Sequence, residues 1–143
     1  MAQLFSVCST FAVVGWLLLL VAPRWRWTER LVVSGAWSLL LSVVYFVLIA
    51  VHFPGSKGGF GSIAEVRQLF SIDALLLAGW VHYLAFDLLV GALEVRQAKT
   101  HGIPHLLVIP ALVLTFLFGP IGLLLFFAIK SVRQRRLAEV VHP

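Results

Sequence analysis

The stretch Ile72–Leu93, IDALLLAGWVHYLAFDLLVGAL, sets one carboxylate, Asp87, well inside an otherwise apolar run. A run of this length matches the roughly 20 residues that a bilayer-spanning helix needs. A carboxylate at such depth costs about 2.5–3.5 kcal/mol on insertion scales, so something must offset it. At about 100° per residue, Asp73, Trp80, Tyr83, Asp87 and Gly91 fall within about 80° of arc. That face reads as the wall of a cavity. His82 falls about 140° from Asp87 and points elsewhere, which makes the two a poor metal clip.

Three further apolar runs flank this one, at about residues 4–22, 31–53 and 103–129. The chain is 61% hydrophobic and 12% charged, with a mean hydropathy of +1.01. Soluble domains carry about twice that share of charge. A soluble sphere of 143 residues cannot hide so much apolar surface, so the surplus must meet lipid. This excludes a disulfide scaffold, a disordered tail and a cytosolic enzyme. The expected fold is all-α: one integral membrane domain over residues 1–143, with four transmembrane helices in an antiparallel bundle. Residues 130–143 form a basic tail.

The first run lacks a basic leader, and its cations follow it, so it reads as a retained helix rather than a signal peptide. Trp25 and Trp27 between Arg24, Arg26 and Arg30 read as an interfacial belt. Between runs two and three lies a glycine-rich turn. After it, Ile63, Val66, Leu69 and Phe70 recur at helical spacing, which predicts a short amphipathic helix.

Run two carries Ser34, Ser38, Ser42, Tyr45 and His52 within about 80° of arc, a stripe that should face the bundle. Serines of this kind let helices approach and hydrogen-bond. Tyr45 and His52 are larger and are candidates for binding. In run four, Gly119-Pro120 predicts a kink, with Thr115 placed to satisfy a freed carbonyl.

The net charge of +5 comes from cations at the ends of apolar runs. Such cations anchor to headgroups, so membrane lipid is the expected partner and nucleic acid is not. With four spans, both termini share a side with the second loop. Lys and Arg then divide six against five, a slight lean toward cytoplasmic termini. The single cysteine, Cys8, excludes an internal disulfide. No nucleotide, hydrolase or metalloprotease motif is present. Three of the four histidines His52, His82, His101 and His105 lie near run ends, so neither a metal nor a cofactor is expected. A homo-oligomer is left open.

Several blocks are similar to a known family: APRWRWTER at 22–30, GFGS at 59–62, VRQLF at 66–70, GWVHYLAFD at 79–87 and LTFLFGPIGL at 114–123. Together they resemble the abscisic-acid-deficient-four-like family of small membrane proteins, across nearly the whole chain. Plant members of that family are required to form neoxanthin from violaxanthin in the plastid. The resemblance implies a four-helix membrane protein that handles a long polyene, as a carotenoid isomerase or an accessory factor. Without a plastid transit segment, the expected location is a bacterial inner membrane, crossed several times.

Turning an epoxide into an allene and an alcohol is a redox-neutral isomerisation that needs a proton donor and a base. Asp87, Tyr83 and His82 are the candidate catalytic groups. Tyr45, His52, Trp80, Phe86 and Trp37 are candidates for packing along the polyene. The competing class is a non-catalytic binding or assembly protein, in which the polar stripe holds helices together. An apolar tunnel ending at Asp87 would favour the enzyme. A basic side chain against Asp87 with no cavity would favour the assembly protein.

Overall fold

A computed structural model of the chain describes residues 1–141, with side chains up to Arg135. Every regular element among them is helical: α1 Ala2–Val21, a π-helical segment Thr28–Val33, α2 Ala36–His52, α3 Ile63–Leu69, α4 Asp73–Thr100, α5 His105–Phe118 and α6 Pro120–Val141. Two of these, α1 and α4, are long and apolar enough to cross a membrane. Helices α2 and α5 are also apolar but shorter, at 17 and 14 residues.

The breaks between elements follow local chemistry. Gly35 has φ +89°, a left-handed conformation that β-carbons disfavour, and it separates the π segment from α2. Run two therefore begins as a helix at Ala36 rather than at residue 31. In α3, the Ser62 side chain accepts from the Glu65 amide, while Glu65 accepts from the Gly61 amide. These reciprocal bonds fix the start of a seven-residue helix that could not stand alone. Helix α4 runs past the predicted end at Leu93 to Thr100. It stops where Gly102, at φ +61°, lets its own amide reach the Lys99 carbonyl and the Ile103 amide reach Ala98. This is a Schellman cap, and Ile103 is buried beneath it.

Helix α4 is the axis of the fold, packed by α1, α2, the π segment and α5. One cluster of buried side chains joins Cys8 and Ala12 of α1, Leu41 and Leu48 of α2, and Val81 and Leu84 of α4. The other joins Trp16 and Leu19, Val32, Leu88 and Val95, Leu112 and Phe126. Glycines make the closest approaches. A β-carbon at Gly91 would come within 2.7 Å of the Trp16 ring.

The expectation of a single kinked helix over 103–129 is corrected. Gly119 takes φ +50° and ψ −97°, and the chain reverses there. A β-carbon on Gly122 of α6 would lie 2.4 Å from the Ala111 carbonyl oxygen of α5. In a continuous helix, eleven residues would separate those positions by about 16 Å. Helices α5 and α6 thus form a hairpin with a one-residue tip. Its open end lies at the Lys99 end of α4, where His105 bonds the Leu20 carbonyl and Lys130 bonds Gln97, both across 2.8 Å. Its tip reaches only as far as Asp87, halfway along α4.

Candidate functional site

The tip of the hairpin meets the polar face of α4. A β-carbon at Gly119 would stand 2.8 Å from Asp87 Oδ1, so glycine leaves the space that the carboxyl group fills. One helical turn away, the Tyr83 hydroxyl donates to the Phe116 carbonyl across 3.0 Å. That carbonyl is one that a continuous helix would pair with the amide of residue 120, which proline lacks. Tyr83 also adjoins the Asp87 carboxyl group. The Asp87 Oδ2 atom is buried without a hydrogen-bond partner.

Two turns further along α4, Glu94 is fully buried. Thr115 donates to its Oε1 atom across 2.8 Å, and Oε2 has no partner. Thr115 therefore serves a carboxyl group rather than a carbonyl freed by Pro120, contrary to expectation. Glu94 directly follows Leu93, the last residue of the apolar run, and so reads as the end of that run rather than as part of it. The available signal was its spacing: seven residues after Asp87, it continues the same stripe.

The other candidate residues divide among separate surfaces. Tyr83 and Trp80 line an open apolar groove of about 650 Å³ with Phe5, Phe70 and Leu76. The Trp80 indole donates to Ser9 across 3.0 Å and lies 5.3 Å from the Tyr83 ring. Phe70, from the end of α3, leans on Gly79 and separates this groove from a second cavity of about 230 Å³. That second cavity holds Tyr45 and His82, whose rings lie 5.4 Å apart. His82 also stacks on Phe86 at 4.6 Å and makes no hydrogen bond to Asp87. The structure thus joins Tyr83 to Asp87 and sets His82 on the α2 side.

Trp37 packs between α1 and α2, stacked on Phe11 at 4.3 Å with its indole donating to the Phe11 carbonyl. Phe86 is exposed, and His52 is half-buried near the end of α2. Along the α2 stripe, Ser38 is buried, while Ser42 and Tyr45 are half-buried. Ser34 is exposed and bonds back to Arg30. Among the described residues, no three His, Cys, Asp or Glu side chains gather in a metal-holding group.

An all-helical apolar chain with a broken-helix hairpin aimed at a carboxylate on its central helix defines a small hydrophobic helical protein with a polar interior seam. The profile of the family described as ABA DEFICIENT 4-like matches residues 3–126. The chain belongs to that family. It is also 24% identical, over 140 residues, to the protein ABA DEFICIENT 4, chloroplastic, of Arabidopsis thaliana. That alignment covers 92% of this chain and 62% of the relative, so the chain spans about three fifths of the relative's length. No solved structure matches it.

Proposed function

We propose that this protein lies in a membrane and acts there on a carotenoid or related isoprenoid, as an isomerase or as an accessory factor. One observation carries this reading. The groove lined by Phe5, Phe70, Leu76 and Trp80 is almost wholly apolar and ends at Tyr83, beside Asp87. Asp73 lines its other end, so a polyene laid along it would span from Asp73 to Tyr83 and bring one polar end group to Tyr83, with Asp87 one helical turn beyond.

The chemistry fits a cofactor-independent isomerisation. A base removes a vinylic C–H proton, and the released electron pair forms the new cumulated double bond. The epoxide C–O bond breaks with its pair moving to oxygen, and a donor protonates that oxygen. One proton leaves and one returns, so the product is an isomer. Asp87 and Tyr83 supply the two roles at the groove's end. His82 serves the second cavity instead.

The test is co-expression in a carotenoid-producing host, with pigment analysis of the wild type and Asp87→Asn. New pigment with the wild type and none with Asp87→Asn, at equal membrane levels of protein, supports the enzyme. Full activity of the variant at normal protein level removes Asp87 from the reaction.

A second reading, a non-catalytic binding or assembly protein, is favoured by Tyr83–Phe116 and Thr115–Glu94, which bind helix to helix. On that reading, Asp87→Asn lowers folded protein and pigment change in the same proportion.

A further inference from the structure

The hairpin changes which side of the membrane each charge reaches. Arg24, Arg26, Arg30, Arg96 and Lys99 lie around the Lys99 end of α4. There the Lys99 ammonium donates to Glu29 and to the Pro23 carbonyl. Because the chain reverses at Gly119, α6 returns to this same end at Lys130. Arg133, Arg135 and position 136 continue beyond it along α6. Nine of the eleven Lys and Arg residues therefore stand at one end. Lys57 and Arg67 stand at the other, where Glu65 and Asp73 match them in number.

We infer that the fourth apolar run enters the membrane and leaves on the side it entered, and that the basic end rests on the anionic headgroups of the cytoplasmic leaflet. The inference rests on the membrane placement proposed above. A six-to-five division gives only a slight lean, whereas nine against two is the kind of bias that sets an orientation. Anionic lipid attracts clustered Lys and Arg close to the membrane surface. The exposed Trp25 and Trp27 lie among these cations, Arg26 over the Trp27 ring at 5.6 Å, as headgroup-level anchors do. The residue-1 end of α1 then faces away from the cytoplasm, and α6 emerges into it. On this inference the residue-1 end and the end of α6 lie on opposite sides, where the six-to-five count leans toward two cytoplasmic termini.

Single cysteines test this in the full chain with Cys8→Ser, using a membrane-impermeant maleimide on intact bacterial cells and on opened ones. Arg26, Lys57 and Arg135 are all exposed. Lys57→Cys should react in intact cells, and Arg26→Cys and Arg135→Cys only after opening. If Arg135→Cys behaves like Lys57→Cys and opposite to Arg26→Cys, the fourth run crosses the membrane and the hairpin inference fails. If Arg26→Cys and Arg135→Cys react in intact cells while Lys57→Cys does not, the orientation is reversed. Recovery of the chain in the soluble fraction would instead overturn the membrane placement itself.

Discussion

The Tyr83 hydroxyl donates to the Phe116 carbonyl at 3.0 Å, filling the vacancy that Pro120 creates four residues later. Proline ends α5, and the tyrosine on the neighbouring helix takes over the hydrogen bond that the backbone gives up. The same side chain adjoins Asp87 and walls the large groove. Its structural and chemical roles are therefore coupled.

Tyr83→Phe should leave the Phe116 carbonyl unpaired while preserving ring packing against Trp80. The expected loss is about 1–2 kcal/mol, in the range measured for hydrogen bonds between buried helices. A melting temperature in detergent that does not move would show that water or another donor replaces the hydroxyl.

Gly122→Ala should prevent the hairpin from closing. Its β-carbon would lie 2.1 Å from the Thr115 amide nitrogen, a backbone atom that cannot turn aside. Gly55→Ala is the control, since nothing lies within 4 Å of its added carbon. The first variant should lose most folded protein by size-exclusion profile, and the second should match the wild type.

Thr115→Val should destabilise more than Thr115→Ser. Valine keeps the volume but leaves both Glu94 oxygens without a partner, at an expected cost of about 1–3 kcal/mol. Serine keeps the donor. Equal thermal midpoints for the two variants would show that the Thr115 bond contributes nothing.

The Lys99 ammonium, through its hydrogen bond and then its charge, holds the exposed Glu29 carboxyl below its ordinary 4.5. A depressed folded-state value means the stabilisation is present above the unfolded value and lost as pH falls through the folded one. The melting-point gap between wild type and Glu29→Gln should be full above the ordinary carboxylate value of 4.5 and should close as pH falls through the lowered folded-state value. It should shrink with added salt, because the pair is exposed. A gap constant across that range would separate Glu29 from the effect.

The apolar runs and the α4 stripe could be read directly, because helical period and run length leave few alternatives for Trp80, Tyr83 and Asp87. The α3 helix was legible from its spacing. The reversal at Gly119 was not. Gly-Pro marks a break in any helix, but whether the chain bends or turns back depends on Gly122 lying against Ala111 and Thr115, a tertiary fit. Glu94 escaped for a related reason. A charged residue at the edge of an apolar run looks like its end, and only the packing of Thr115 shows that it is inside.

A hairpin that stops at the depth of Asp87 makes the two halves of the fold unequal. From the Lys99 end to the tip, α5 and α6 cover α4. From Tyr83 down to Asp73, about 15 Å of helix, that flank carries no such cover and is open as the large groove. On the proposed membrane placement, that groove opens to a guest molecule from the leaflet opposite the basic end. On the same placement, Tyr83 would lie deeper in the bilayer than Asp73 for anything entering along the groove.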